Sequence, residues 1–222
     1  MRTTQQYLEK LPFWEQLTDS QKDRALRSTQ IRSYEAGSVI HAHDHECLGL
    51  VMVLSGKVRT FMLSEEGREV TLYQMEAGDT DVLSASCVLS QVTFETMMVA
   101  DTMCELLVLP AAVLSEFKDQ NLAARCYIYE RLGSRFSDTM GTMQRVLFMP
   151  IDSRIASCLL ERSRKEGSDL VRMTHEQIAR EINSSREVVS RMVKRFEEEG
   201  LVELQRGKIR ILDAEGLDDH TV

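Results

Sequence analysis

The chain has 222 residues, of which 43% are hydrophobic and 28% are charged, and its formal net charge is −8 at pH 7. These proportions are typical of a soluble globular protein that is long enough for one sizeable core and a smaller second one. No run of about eighteen apolar residues occurs, and the N-terminus has neither an apolar signal core nor a cleavage site. We therefore expect a cytoplasmic protein with no membrane association.

The charge is unevenly distributed along the chain. Residues 1–150 hold 14 Lys and Arg against 20 Asp and Glu, whereas residues 153–210 hold 13 against 10. A basic excess favours binding to a polyanion, and the acidic remainder should weaken non-specific binding to nucleic acid. If the protein binds nucleic acid, the C-terminal part is the part that does so.

The first half of the chain predicts a helix followed by β-structure. A short helix is expected around Ser20–Thr29. Residues 31–109 then contain β-rich runs at 48–54, 57–62 and 70–73, separated by turn glycines, and a closing strand at 105–109. Short strands at regular spacing between turn signals are typical of an all-β sandwich or barrel.

A histidine run lies within this β-rich region. His41, His43, His45 and Cys47 recur at steps of two and would share one face of an extended strand. Imidazole and thiolate suit zinc or copper. Two interpretations stay open: a polar surface loop, or a metal sensor or cupin-like metal-dependent enzyme built on the three histidines.

The five cysteines are widely spaced and form no C-x-x-C pair. This spacing excludes a local zinc knuckle and favours reduced, mostly buried thiols. Two interpretations of Cys87 stay open: a buried inert thiol, or a reactive thiol whose pKa is lowered if it lies at a helix N-terminus. The cysteines are Cys47, Cys87, Cys104, Cys126 and Cys158.

Pro110 begins a helical region with a coiled-coil pattern. One set of residues recurs at alternating steps of four and three, which predicts a seam between two parallel helices of a homodimer. Pro150 ends this pattern and indicates a hinge, and the next helix is expected from Asp152 to about Lys165. The seam residues are Leu122, Cys126, Tyr129, Gly133, Phe136, Met140, Met143 and Leu147.

The segment that follows predicts a helix-turn-helix. Thr174 with Gln177, and Ser184 with Glu187, have the spacing of a capping box, so each pair marks a helix start. Asn183 lies between them and readily adopts the left-handed conformation of a tight turn. The second helix buries Val189, Met192, Val193 and Phe196, and its opposite face carries Arg186, Glu187, Ser190, Arg191 and Lys194.

That polar face has the chemistry to recognise base edges. Arginine donates two hydrogen bonds to guanine O6 and N7, and a carboxylate accepts from cytosine N4. Residues 201–212 alternate about Arg206-Gly207 as a short hairpin, which turns the motif into a winged helix. Arg206 and Lys208 at the hairpin tip are candidates for phosphate contacts.

The β-rich domain, long helix, hinge and winged helix, in that order, resemble the CRP/FNR family of bacterial transcription regulators. The residues Ser185-Arg-Glu-Val-Val-Ser-Arg191 are similar to the family's recognition helix. The resemblance implies that Arg186, Glu187 and Arg191 contact bases and that Thr174, Ser185 and Ser190 contact the backbone. It also implies a palindromic operator with TGTGA-like half-sites, and RNA polymerase as a further partner.

The chain departs from the family where the cyclic nucleotide would bind. Val82-Leu83 stands where a Gly-Glu pair is expected, and Thr93-Phe94 where an Arg-Ser pair is expected. Residues 69–117 contain no Lys or Arg, although a buried phosphate needs a cationic or amide cradle. We therefore predict an unknown small-molecule effector that is not a cyclic nucleotide, unless Arg125, Arg131 or Arg135 reaches the pocket. Its candidate ligands are Gly78, Asp79, Ser84, Ser86, Cys87 and Thr93.

The predicted fold class is α+β, with three parts. These are an N-terminal double-stranded β-helix (β-roll, cupin-like) sensor domain at 1–117, a long dimerisation helix at 118–149 and a C-terminal winged helix-turn-helix at 150–222. The predicted partners are double-stranded DNA, a second copy, RNA polymerase and the effector. We predict no enzymatic activity, no cofactor and no metal. The iron–sulfur branch of the family is disfavoured because Cys47 is the first cysteine, whereas His41, His43 and Cys47 remain candidate haem ligands.

Overall fold

The computed structural model describes residues 3–42, 47–82 and 96–221. Contacts divide the chain into two units, one formed by Met1–Arg68 with Leu72–Met140 and the other by Glu69–Thr71 with Gly141–Val222. The predicted boundaries at 117/118 and 149/150 stay predictions.

The first unit begins with short helices that pack into its core. They are α1 (Thr4–Leu8), a 3-10 turn (Trp14–Gln16) and α2 (Asp19–Ser28). Thr18 caps α2, because its hydroxyl accepts from the N–H of Gln21. The helix predicted around residues 20–29 is confirmed, whereas α1 was not predicted.

Among the described residues, eight strands follow and form two four-stranded sheets. In the first sheet the order is β1-β8-β3-β6, and in the second it is β2-β7-β4-β5. The pairs β1·β8, β3·β8, β3·β6, β2·β7 and β4·β7 are antiparallel. The strands are β1 (Gln30–Tyr34), β2 (Val39–His41), β3 (Gly49–Ser55), β4 (Val58–Leu63), β5 (Glu69–Met75), β6 (Thr80–Asp81), β7 (Met97–Ala100) and β8 (Cys104–Pro110).

Strand β3 is buried on both faces, which explains why its sequence is a continuous apolar run. Val51 and Val53 belong to the core formed by residues of both sheets. Leu50 and Met52 belong to a second core that includes the N-terminal helices. Successive side chains of a strand point to opposite faces, so one strand supplies both cores. The predicted all-β domain is thus confirmed, with helices covering one of its sheets.

Two of the predicted turn glycines are sterically required. Gly49 has φ +109°, and a Cβ there would overlap the carbonyl oxygen of Leu109 on the neighbouring strand. Gly56 has φ +80°, and a Cβ there would meet the backbone and Cβ of Cys104. Any other residue would force β3 away from β8 at these points.

Two helices follow the last strand of the sandwich. Pro110 is the N-cap of α3 (Ala111–Gln120), as predicted, since proline is tolerated where no intrahelical donor is needed. The 27-residue α4 (Leu122–Phe148) comes next, and the Asn121 side chain accepts from the N–H of Ala124 at its start. The boundary between the two units falls within α4.

The second unit is a small helical domain with a three-stranded sheet of order β10-β11-β9. Pro150 is the N-cap of its first helix, and Gly167 ends that helix with φ +60°, so the predicted break and helix are confirmed. The elements are α5 (Ile151–Glu166), β9 (Leu170–Val171), α6 (His175–Glu181), α7 (Arg186–Glu198), β10 (Val202–Gln205), β11 (Lys208–Ile211) and α8 (Ala214–Asp219). β9 and α8 were not predicted.

Candidate nucleic-acid interface and effector region

The pair α6 and α7 is a helix-turn-helix whose geometry follows from its capping residues. Thr174 and Gln177 form the predicted capping box: the Thr174 N–H donates to Gln177 Oε1 (2.8 Å), and the Gln177 N–H donates to Thr174 Oγ1 (3.2 Å). Asn183 has φ 55°, which makes it the single non-glycine residue with positive φ in the part of the chain described. The turn predicted at this position is confirmed.

The second predicted capping box is wrong by one residue. The N-cap of α7 is Ser185, whose Oγ accepts from the N–H of Val188 (3.3 Å). Ser184 instead donates its backbone N–H to the carbonyl of Ala179 (2.8 Å), so it belongs to the turn. Glu187 is consequently the second helical residue and is free of a capping role, because the turn extends one residue further than the spacing alone suggested.

Helix α7 has one buried face and one exposed polar face. Val189, Val193 and Phe196 are fully buried in the core of the second unit. On the other face Arg186, Glu187, Arg191 and Lys194 are exposed, and Ser190 is half-buried. Neither Arg186 nor Arg191 forms an ion pair with another described residue, whereas Lys194 faces Glu198 at 3.9 Å. Two arginines with unoccupied donors therefore lie on the first two turns of an exposed helix.

The hairpin β10–β11 lies beside the start of this helix. Gln205 pairs with Lys208, and Gly207 between them has φ +71°, so the predicted turn at Arg206-Gly207 is confirmed. A cleft of about 500 Å³ between the two elements is lined by Arg186, Arg206 and Lys208, together with Thr174. Three cations of the predicted interface thus line one concave surface.

Three polar residues of this cleft were not predicted from the sequence, and one of them is the acidic Glu176. His175, the first residue of α6, and Gln205, at the end of β10, also line it. His175 follows the capping Thr174 directly, and that position next to a helix N-cap was the available signal. Gln205 carried no signal, because its location depends on the register of the hairpin.

The predicted seam forms an exposed apolar row along α4. Leu122 is 71% exposed, Phe136 65% and Leu147 59%. Cys126, Tyr129, Gly133, Met140 and Met143 are exposed as well. The opposite face of the helix is buried: Ala124, Tyr127 and Ile128 belong to the core with the N-terminal helices. A row of large apolar side chains of this length on a single chain is unusual unless another surface covers it.

The face of α4 that packs on the sandwich carries a buried ion pair. Arg135 Nε lies 3.2 Å from Asp81 Oδ1, and Arg135 Nη2 donates to the carbonyl of Thr80 (2.8 Å). Asp81 is completely buried, and the Tyr73 hydroxyl donates to the same carboxylate oxygen (3.1 Å). The guanidinium also lies 4.5 Å from the centroid of the Tyr73 ring.

This network alters two pKa values. Burial, followed by the charge of Asp81, raises the pKa of Tyr73 well above its usual value. For Arg135, burial is the largest single effect and opposes the charged form, but Asp81, Tyr73 and Asp138 together outweigh burial and raise the pKa. Both groups therefore keep their ordinary protonation state, and the positive charge of Arg135 is balanced within the protein.

The three arginines considered as phosphate ligands lie in different surroundings. Arg135 is paired with Asp81. Arg125 donates to the carbonyls of Lys118 and Asp119. Arg131 lines a cleft next to Gly78 and Tyr127.

The predicted effector ligands are only partly covered by the described residues. Gly78 lines the cleft just mentioned. The Asp79 carboxylate accepts from the N–H of Glu76 (2.8 Å) and so stabilises the turn before β6. Ser84, Ser86, Cys87 and Thr93 lie outside the described residues.

One cysteine, at the end of the histidine run, departs from the expectation that the thiols are reduced. Cys47 is disulfide-bonded, which contradicts that expectation and removes Cys47 as a thiolate ligand. Spacing along the sequence could not show this, because a disulfide depends on which segments the fold brings together. Cys104 and Cys158 are free and buried, and Cys126 is free and exposed.

His41 belongs to β2 and is 7% exposed, whereas His43 and His45 lie outside the described residues. No group of three or more metal-binding side chains occurs among the residues that the structure covers. Within the same residues, no helix combines the length and the apolar character that crossing a bilayer requires.

Two family models match the chain. A Crp-like helix-turn-helix domain matches residues 153–220, and a cyclic nucleotide-binding domain matches residues 31–121. The crystal structure of a regulator assigned to the Crp/Fnr family from Eubacterium rectale ATCC 33656 is 37% identical. It has a TM-score of 0.87 and covers 95% of this chain and 97% of that one.

Two curated relatives come from Thermus thermophilus. The cyclic AMP receptor protein is 28% identical over 209 residues, which is 94% of this chain and 95% of the relative. The transcriptional regulator SdrP is 26% identical over 173 residues, with 75% and 81% covered. These similarities do not support the cupin-like enzyme or metal sensor considered from the histidine run.

Proposed function

Because the chain belongs to the CRP/FNR family of transcription regulators, we propose that two copies pair along α4 and recognise a palindromic operator with their α7 helices. A DNA-binding transcription regulator is the function that the family supports. The oligomer, the operator and the contacting residues are the proposal. It assigns no enzymatic step to the protein.

The observation that carries the proposal is the exposed polar face of α7. In a helix-turn-helix the N-terminal residues of the second helix contact base edges in the major groove. Arg186 and Glu187 occupy those positions, and Arg191 lies on the next turn. Arg186 is suited to guanine, and Glu187 to the N4 amino group of cytosine, which fits a TGTGA-like half-site.

Backbone contacts would orient the helix. Ser185, Ser190 and Thr174 have hydroxyls beside this face, and Lys194 lies at its far end. Arg206 and Lys208 extend the same surface onto the hairpin, where cations at a tip suit phosphate. These contacts would add affinity with little sequence information.

Pairing along α4 is supported by the exposed apolar row. Its eight residues follow the spacing of a coiled-coil seam. Cys126 and Gly133 are small, so two helices could approach closely at these points. A two-fold axis along the seam would present two copies of α7 to half-sites about one helical turn, or roughly 34 Å, apart.

We further propose that the signal is not a cyclic nucleotide. Residues 69–117 lack any Lys or Arg. Arg135, which α4 places against β6, is already neutralised by Asp81. A cyclic phosphate held by Arg135 would have to separate this buried pair, which carries a large penalty. RNA polymerase is the further partner that the family implies for regulation.

The proposal is tested by removing one base contact. Arg186→Ala should weaken operator binding by about 1–3 kcal/mol and relax selectivity at one base pair, as expected for a bidentate contact. Fluorescence anisotropy on a duplex selected from a random pool measures both effects. Arg195→Ala is the matched control, because Arg195 is on the same helix but is engaged with Glu199 at 2.7 Å. Unchanged affinity and selectivity in Arg186→Ala would refute the assignment of α7.

A second candidate concerns the signal that controls DNA binding. This signal would be a redox change at Cys47. The observation that favours it is the disulfide bond of this residue, with Cys87 as the reactive thiol already suggested by the sequence. Reduction should then change operator affinity in the wild type and leave Cys47→Ser unaffected. Cys126→Ser, which removes a free thiol, is the control. Equal affinity with and without reductant would exclude this candidate.

A further inference from the structure

A cleft of about 480 Å³ opens on the first unit, and no residue of the DNA-binding surface contributes to it. Its walls are formed by α1 and the segment after it, the end of β3, the turn before β6 together with β6 itself, and α4. Its volume lies within the range of small-molecule sites, which are roughly 300–1,000 Å³. Much of the lining is apolar, including Leu11, Pro12 and Leu54.

The charged residues of the cleft are all positive. Lys10 and Arg131 line it, and no Asp or Glu does. Neither cation forms an ion pair with any residue in the described ranges. The Nε atom of Arg131 is buried and has no hydrogen-bond partner there. A buried donor without a partner is costly, so the arrangement favours an acceptor supplied from outside the chain.

Two tyrosines flank these cations. Lys10 Nζ lies 5.3 Å from the centroid of the Tyr7 ring, and the Arg131 guanidinium lies 5.7 Å from that of Tyr127. The Tyr127 hydroxyl shares a 2.6 Å hydrogen bond with Thr80 Oγ1, and both residues line the cleft. Aromatic rings, two cations and two hydroxyls thus converge on one space.

We propose that this cleft binds a small organic anion, namely a carboxylate or phosphate carried on an aromatic or apolar body. The anionic group would accept from Arg131 and Lys10, and the body would lie against Leu11, Pro12 and the tyrosine rings. Charge-assisted hydrogen bonds of this kind are the strong ones, and an apolar lining adds buried area. Binding of this anion does not require the effector ligands that the sequence predicted beyond Gly78, namely Asp79, Ser84, Ser86, Cys87 and Thr93.

Such a ligand would act on the helix that carries the seam. Tyr127 and Arg131 are on α4, and Thr80 joins them to β6 through its hydroxyl while its carbonyl accepts from Arg135. An anion between Lys10 and Arg131 would therefore tie the N-terminal segment and β6 to α4. The proposal that this cleft regulates DNA binding rests on the proposed function. The proposal that the cleft binds an anion does not depend on it.

Isothermal titration of the full-length protein with benzoate and with phenyl phosphate tests the proposal. The neutral analogue benzyl alcohol controls for apolar binding. At least one anion should bind the wild type with a dissociation constant below about 10 mM, and benzyl alcohol should bind more weakly. Arg131→Gln and Lys10→Gln should each weaken that binding about tenfold or more, as expected for a lost charge-assisted bond.

Arg27→Gln is the matched control, because it makes the same charge change on an 83%-exposed side chain of α2. Binding of benzoate alone would assign a carboxylate ligand, and binding of phenyl phosphate alone a phosphate. Absence of binding by both anions, or equal binding by the wild type and both cleft variants, would overturn the proposal. Since Lys10 is exposed, its variant should fold even if Arg131→Gln does not. Operator binding in the same preparation tests the proposed function separately.

Discussion

The buried pair of Arg135 and Asp81 allows a quantitative prediction. In Arg135→Met the side chain keeps much of its packing, but the fully buried Asp81 carboxylate loses its guanidinium partner. Removing one member of a buried ion pair typically costs about 3–5 kcal/mol of unfolding free energy. Because Arg135 is only 11% exposed, solvent screening should reduce this value little.

The two members of the pair should not be equivalent. In Asp81→Asn the amide oxygen can still accept from Tyr73, and Arg135 retains the Thr80 carbonyl and Asp138, the latter at 3.0 Å. The loss should therefore be smaller than in Arg135→Met. The double variant should be more stable than Arg135→Met alone, because no unpaired buried charge remains.

Urea denaturation followed by tryptophan fluorescence measures these losses. Trp14 is the single tryptophan and is 4% exposed in the core shared by α4 and the N-terminal helices, so its emission reports on the first unit. Arg125→Met is the control, since Arg125 is exposed on the same helix and bonds only to surface carbonyls, a contribution of about 1 kcal/mol or less. A loss in Arg135→Met no larger than in the control, or additive losses in the double variant, would refute the reasoning.

Four further outcomes are expected. Mild oxidation should link two copies through Cys126, because equivalent seam residues face each other in a parallel pair; a non-reducing gel detects the covalent dimer. Ser185→Ala should lower the stability of the second unit by about 1 kcal/mol by removing the α7 cap, whereas Ser184→Ala should have little effect; circular dichroism melts measure both. Arg206→Ala should weaken binding to all sequences and reduce the slope of log affinity against log salt by about one; anisotropy at several salt concentrations shows this. Since the pKa of Tyr73 is raised on folding, its contribution to stability is present below about pH 10 and is lost as pH rises through the folded-state pKa; alkaline melts of wild type and Tyr73→Phe measure it.

Each of these outcomes has a contrary result. A covalent dimer that persists in Cys126→Ser would place the contact elsewhere. Equal losses in Ser185→Ala and Ser184→Ala would contradict the observed start of α7. An unchanged salt slope in Arg206→Ala would remove the hairpin from the interface. Parallel alkaline destabilisation of wild type and Tyr73→Phe would assign the effect to other groups.

The sequence by itself determined the parts of this protein that depend on local patterns. The capping box at Thr174, the left-handed Asn183, the alternation about Gly207 and the break at Pro150 each involve residues a few positions apart, so their structures follow from local sterics and hydrogen bonds. The spacing of apolar residues also identified which face of α4 is left exposed. The start of α7 was misplaced by one residue, because two adjacent serines offer the same capping chemistry.

Only the tertiary structure decided the contacts between segments distant in sequence. The pairing of Arg135 with Asp81, the disulfide bond of Cys47, and the cleft that joins Lys10 to Arg131 all depend on how the fold brings distant segments together. A charge or a thiol in the sequence carries no information about its distant partner. Desolvation and pairing set the free energy of such a buried group. Both are properties of the folded core rather than of the residues next to it in sequence.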